Sequence, residues 1–218
     1  MLVVKICGIR RVEHALVAAE AGADYIGIVF APSGRSMEPD AARVLVHEMR
    51  RQASRPPSVV GVFVNAPVDE VERIAVLCGL DYVQLSGDET LDDARRIRRP
   101  VIKAVHVRPD TDATALESAL RRVQDAGLLP MLDARAGEAY GGSGRAFDWG
   151  VVGDLSARYR FLLAGGLTPE NVGEAVRRVQ PWGVDVSSGV ETGGVKDAAR
   201  IRAFVRAARR ADQTATSM

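Results

Sequence analysis

Short, almost wholly apolar runs recur eight times along this chain, and each is followed by a turn and a stretch of helical character. The runs are LVVKI, YIGIVF, VVGVFV, DYVQL, VIKAV, LLPML, RFLLA and GVDVS. The helical stretches begin near Val12, Glu38, Val68, Glu89, Asp112, Phe147, Pro169 and Lys196, with Thr168 as cap and Pro169 in the first helical position of the seventh. A run of four to six residues with no polar alternation suits a parallel strand buried on both faces. Eight strand–helix units in 218 residues predict an α/β chain folded as a single-domain (β/α)8 TIM barrel, at the compact end of its size range. The rival is an open doubly wound sheet, but that fold more often has five to seven strands and a glycine fingerprint after the first, where this chain has CGIRR. No linker or composition shift divides the chain. Residues 1–208 are expected to form the barrel, and the polar end RRADQTATSM, residues 209–218, a disordered tail.

Charge and cysteine usage narrow the function. A formal net charge of +1, with arginines scattered among acids, offers no footprint for nucleic acid or a membrane surface. Lys5 follows Met1 within a few residues and no long apolar run is present, so neither an export signal nor a membrane span is expected, and the cytoplasm is the expected location. Cys7 and Cys78 are enough for one disulfide, but a reducing compartment favours free thiols. His14, His47 and His106 lie far apart with no metal-ligand spacing, so no metal is expected.

A barrel carries its chemistry at the C-terminal ends of its strands and holds phosphate on the loops after strands seven and eight. Those loops read AGGLTPEN and SSGVETGG. Either glycine pair alone is explained as well by a tight turn, but the two together, in those two loops, point to a phosphorylated small-molecule ligand. Strand six ends LLPMLDAR, placing Asp133 at the rim, and strand eight puts Asp185 and Ser187 on one face. Strand one is the oddest, since Lys5 and Cys7 share a face of an otherwise apolar run. Cys78, at a helix end among apolar residues, reads as a packed thiol. Cys7 and Asp133 together offer a base and an acid: burial would raise Asp133 toward working pH, and Lys5, roughly 6–7 Å along the strand, is a cationic neighbour for the thiol. Lys5 reads equally well as one half of an ion pair inside the barrel, with Asp185.

With these residues in place, the chain resembles the phosphoribosylanthranilate isomerase family of tryptophan biosynthesis. The matching segments run nearly end to end: VKICGI, GADYIGIVFAPSGRSM, VGVFVN, VQLSGDE, LLPMLDAR, GGSGRAFDW, LLAGGLTPENV and GVDVSSGVETGGVKD. The resemblance implies a cofactor-independent Amadori rearrangement, with Asp133 as general acid and Cys7 as general base. It implies that Arg35 holds the anthranilate carboxylate and that Asp185 contacts the same end of the substrate. Gly165, Gly166, Ser187, Ser188 and Gly189 would cradle the phosphate, and Gly142, Ser143 and Gly144 would belong to a mobile loop closing over it. A monomer or a homodimer is equally compatible. Two positions depart from the family's usual pattern: Arg10 stands where CGIT or CGLT has threonine, and Ser86 where VQLHG has histidine. Ser86 cannot carry charge near neutral pH; His106 on the next strand is a candidate substitute, although a solvated or packed histidine is the better reading of it.

Three rivals remain. The related isomerase of histidine biosynthesis uses an aspartate where Cys7 stands, and a second phosphate site that is not evident here. A catalytically silent sugar-phosphate-binding barrel would be free to lose Cys7, Asp133, Arg35 and Asp185. A Schiff-base enzyme would need a lysine at the rim, whereas Lys5 and Lys103 lie mid-strand.

Overall fold

The computed structural model describes residues 1–108, 110–134 and 148–216. Eight parallel strands close on themselves in sequence order: β1 (Val3–Cys7), β2 (Tyr25–Val29), β3 (Ser58–Phe63), β4 (Tyr82–Leu85), β5 (Val101–Val107), β6 (Leu129–Ala134), β7 (Leu162–Leu163) and β8 (Gly183–Val186). The closing contact pairs Lys5 of β1 with Asp185 of β8. Around them stand α1 (Val12–Ala21), α2 (Pro39–Gln52), α3 (Val68–Cys78), α4 (Leu91–Arg95), α5 (Ala113–Asp125), α6 (Leu155–Arg158), α7 (Val172–Val179) and α8 (Ala198–Thr216). The open-sheet alternative is thereby excluded.

The apolar runs are uniform because each strand is covered twice. Outward side chains such as Val4, Ile6, Ile28, Val59, Leu132 and Val184 pack under the helices in one large core. Inward side chains form a second, smaller cluster of Tyr25, Val60, Ile102, Ala104, Met131, Leu162 and Ala164. Lys5, Gln84 and Asp185 stand among the few buried polar residues. Lys103 points the other way: its Nζ donates to Gly87 O at 2.7 Å and to Glu89 Oε2 at 2.8 Å, bracing the loop after β4.

Three local expectations are corrected. The tail is helical, because α8 continues to Thr216 and is tied to the start of the chain. Leu2 N donates to Asp212 Oδ2 at 2.8 Å, Arg209 Nη2 donates to Asp24 Oδ2 at 2.7 Å, and Ala211 is buried. Second, α7 begins at Val172 rather than Pro169, because Thr168 N donates to Asn171 Oδ1 at 2.8 Å and Glu170 N donates to Thr168 Oγ1, holding that stretch as a turn. Third, the loop after β8 is partly structured. Ser188–Val190 form a 3-10 turn, and β9 (Glu191–Thr192) and β10 (Val195–Lys196) form an antiparallel hairpin ahead of α8. Both central residues of its two-residue turn, Gly193 and Gly194, have positive φ, 59° and 78°, which a side chain would resist. Both cysteines are free and buried. Among the described residues no helix is long and apolar enough to cross a membrane.

Candidate active site

A cavity of about 450 Å³ opens at the C-terminal ends of the strands, a size suited to a small ligand. Cys7, Asp133, Asp185, Arg35, Gly165, Gly166, Ser187, Ser188 and Gly189 all line it, so the rim brings together every proposed site residue that is described. Gly142, Ser143, Gly144 and Phe147 lie outside the described residues. Val29, Ala31, Pro32, Val62 and Val64, from the ends of β2 and β3 and the loops after them, supply an apolar wall.

The end of the cavity that holds Cys7 and Lys5 is built by strand alternation. Lys5 and Cys7 both point inward from β1 and converge over Gly27 of the neighbouring strand. A Cβ there would lie 2.8 Å from Cys7 Sγ and 3.2 Å from Lys5 Nζ. Lys5, fully buried, donates through Nζ to Asp185 Oδ1 at 2.8 Å, so the ion-pair reading holds. Burial is the largest single influence and works against its ammonium, yet the charges and hydrogen bonds of Asp185 and Cys7 together outweigh it and hold the Lys5 pKa above its ordinary value. The same lysine also acts on the thiol. Burial pushes the Cys7 pKa up, Lys5 and Lys196 pull it down, Asp185 pushes it up again, and the balance lies above the ordinary thiol value. Lys5 therefore limits the cost of forming a thiolate without making the thiolate the resting form.

Asp133 is the complementary case. Burial and the charge of Asp185 push its pKa up to about 7, against a weaker opposing pull from Lys5. Burial is the largest cause, and the local charges add to it: the one ammonium between the two carboxyls is held directly by Asp185. The second carboxyl therefore keeps its proton into the neutral range.

The two departures from the family's pattern have clear positions. Arg10 is exposed and donates through Nη1 to Gly34 O at 2.9 Å, joining the loop after β1 to the loop that carries Arg35. Lys5, Lys196 and Arg35 are cations that interact with Cys7 through their charges. Ser86 lines the cavity, and its Oγ accepts from Gln84 Nε2 at 2.9 Å. His106 shares the inward face of β5 with Ile102 and Ala104 and stands in register with Asp133. Its Nε2 is 3.0 Å from Ser86 O. It thus sits behind Ser86, braced against the backbone of the position where the family usually carries histidine.

The loops after β7 and β8, expected from the sequence to hold phosphate, also line the cavity. Gly165 and Gly189 are required by close approach, since a Cβ on the first would meet Ala134 N at 2.5 Å and on the second Leu167 O at 1.9 Å. The 3-10 turn starting at Ser188 leaves its first N–H groups without partners inside the turn. That is suitable chemistry for an anion.

Three residues escaped the sequence reading. Glu191 accepts from Arg35 Nε and Nη2, each at 2.8 Å, in a bidentate pair. Lys196 donates to Glu191 Oε1 at 2.6 Å and to Ser187 O at 2.9 Å. Gln84, buried beside Ser86, lines the cavity. A signal for the first two existed, since ET-GG-VK is a two-residue hairpin pattern that sets Glu191 opposite Lys196.

Comparison with known proteins agrees with this geometry. A protein from Roseiflexus sp. (strain RS-1) called N-(5'-phosphoribosyl)anthranilate isomerase is 50% identical over 217 residues, covering 98% of this chain and all of that one. The crystal structure of phosphoribosyl anthranilate isomerase from Thermotoga maritima superposes with a TM-score of 0.85 at 40% identity, covering 96% of this chain and 100% of that one. A further structure of the enzyme, in complex with reduced 1-(o-carboxyphenylamino)-1-deoxyribulose 5-phosphate, superposes with a TM-score of 0.81 at 37% identity, covering 96% of this chain and 100% of that one. The family model of N-(5'-phosphoribosyl)anthranilate (PRA) isomerase matches residues 4–207, and this chain belongs to that family.

Proposed function

We propose that the chain isomerises N-(5'-phosphoribosyl)anthranilate to 1-(2-carboxyphenylamino)-1-deoxyribulose 5-phosphate, with Asp133 as general acid and Cys7 as general base. The observation that carries the assignment of roles is the raised Asp133 pKa, about 7, in a cavity it shares with an inward-facing thiol. Asp133 donates its proton to the furanose ring oxygen as the C1–O bond breaks, and the anthranilate nitrogen supplies the electron pair that forms the Schiff base. The Cys7 thiolate then removes the C2 proton, and those electrons move toward the nitrogen to give an enolamine. Tautomerisation of the enolamine to the ketone adds a proton at C1 and removes one from the C2 hydroxyl. The overall change is an isomerisation that consumes no oxidant or reductant.

The resting protonation states set the rate. Asp133 gives up its proton more readily than Cys7 does, so the productive form, acid protonated and thiol ionised, is the minority one. Lys5 and Lys196 lower the cost of that form through their charges on the thiol. The glycines and serines after β7 and β8 suit the phosphate, Arg35 suits the carboxylate at the other end, and the apolar wall from β2 and β3 suits the aromatic ring. A cytoplasmic monomer or homodimer fits this role. One matched structure is of monomers of dimeric phosphoribosylanthranilate isomerase from Thermotoga maritima.

The test follows the decay of phosphoribosylanthranilate fluorescence with the parent chain, Cys7→Ser and Asp133→Asn. The parent should be active and each variant reduced by about 10²–10⁴-fold, the usual share of one positioned acid or base. An inactive parent would remove the assignment, and a Cys7→Ser variant of near-parental rate would remove the mechanism.

A further inference from the structure

The Arg35 loop and the hairpin after β8 are 156 residues apart in sequence, yet they meet through a buried ionic cluster in which Glu191 is the member with no part in the reaction scheme. The side chains of Glu191 and Lys196 are only 7% and 3% exposed, whereas Arg35 is 29% exposed and reaches the cavity. Burying charges at this depth is a poor route to stability, so a purpose in placing one of them is the better explanation.

The geometry states what is being placed. Glu191 takes the Nε–Nη2 edge of the guanidinium with both of its oxygens. A guanidinium has five N–H donors in a planar fork, so the Nη1–Nη2 edge is left for a second carboxylate lying in the same plane. Lys196 fixes Glu191 from the opposite strand of the hairpin and also holds Ser187 O at the end of β8. Gly8, directly after Cys7, makes room for the assembly. A Cβ there would stand 2.8 Å from Arg35 Cδ, 3.1 Å from Ser187 Oγ and 3.4 Å from Lys196 Nζ. Two cations and one carboxylate leave the cluster with a net positive charge, and Arg35 is the member that lines the cavity. Burial works against the charge of Glu191, yet its two cations hold the carboxyl below the usual carboxylate range, so it is ionised at working pH.

We propose that Glu191 is a positioning residue that presents the free edge of Arg35 to the substrate's anthranilate carboxylate, and that Lys196 locks Glu191 in that orientation. This rests on the reading of Arg35 as the carboxylate-binding residue. The cluster therefore governs affinity and selection for an ortho-carboxylated aromatic ring, while Cys7 and Asp133 govern the proton transfers.

The experiment compares the full chain with Glu191→Gln, Glu191→Asp and Arg35→Gln. It measures KM and kcat on phosphoribosylanthranilate, and inhibition by the reduced product analogue and by the same analogue lacking the ring carboxylate. Loss of one charged hydrogen-bond pair predicts that Glu191→Gln raises KM about ten- to a hundredfold and lowers kcat far less. It should weaken the carboxylated analogue by a similar factor and leave the carboxylate-free analogue at its parental inhibition constant. Glu191→Asp, which keeps the charge but shortens the reach, should fall between. A Glu191→Gln variant that binds the carboxylated analogue as well as the parent, or more tightly, overturns the proposal, the tighter case showing that Glu191 competes with substrate. Equal weakening of both analogues also overturns it, as the mark of a structural role. If Arg35→Gln itself shows no selective loss of the carboxylated analogue, the fault lies with the reading of Arg35.

Discussion

The floor and the rim of this barrel lie at successive levels of one ring of strands, yet they obey opposite rules. At the floor, Tyr25, Val60, Ile102, Met131 and Leu162 fill the interior with apolar volume. Further along, the inward series turns to Cys7 on β1, Gln84 and Ser86 on β4, Asp133 on β6, and Asp185 and Ser187 on β8 and after it, all lining the cavity, with Lys5 buried beneath and paired with Asp185. Apolar side chains below need only volume, whereas polar side chains above need partners, and their number is set one short. Lys5 satisfies Asp185 and leaves Asp133 as a carboxyl that burial keeps protonated. The lesson is that the rim's reactivity is purchased with stability that the floor supplies.

That contrast can be broken from either side. At the rim, Asp133→Asn should stabilise the fold while removing the acid. The sign follows from linkage: the folded-state pKa, about 7, stands above the ordinary 3.8, so the carboxyl's contribution is intact at low pH and is lost as pH rises through 7. Urea unfolding should therefore show Asp133→Asn more stable than the parent at pH 8 by at most about 4 kcal/mol. The gap should widen by about 2 kcal/mol between pH 5.5 and 8. A gap that is constant or reversed over that range would mean that the parent carries no such strain. At the floor, Ile102→Ala deletes a fully buried side chain that touches no reacting group. It should cost about 2–5 kcal/mol in the same unfolding measurement and leave kcat and KM of the folded protein within about threefold of the parent. A large loss of kcat with little loss of stability would show that floor and rim are not separable.

The fold was legible to an unusual degree because parallel strands covered on both faces have no polar alternation to confuse the reading. The eight runs named from the sequence are the eight barrel strands. Cys7, Asp133 and Asp185 were legible for the opposite reason, as polar residues within or at the ends of runs that otherwise exclude them, whereas Arg35, on a loop, was named only through the family resemblance. What escaped depends on contacts distant in sequence. The end of α8 looked like a tail because the partners of Arg209 and Asp212 are Asp24 and Leu2, near the other terminus. Glu191 and Lys196 were passed over as part of a glycine-rich phosphate loop, although Gly193 and Gly194 form the turn that brings them face to face. Their real partner, Arg35, lies on another loop, and no spacing rule connects the two.

The central claim is that Asp133 is a protonated acid near neutral pH in the folded chain. Carbon-13 labelling of aspartate, with Asp133→Asn to assign the signal, allows its carboxyl to be titrated directly by NMR. The account predicts one resonance, absent in the variant, with a midpoint near pH 7. A midpoint near the ordinary 3.8 would show a carboxylate that is ionised throughout the working range and would contradict its role as the acid.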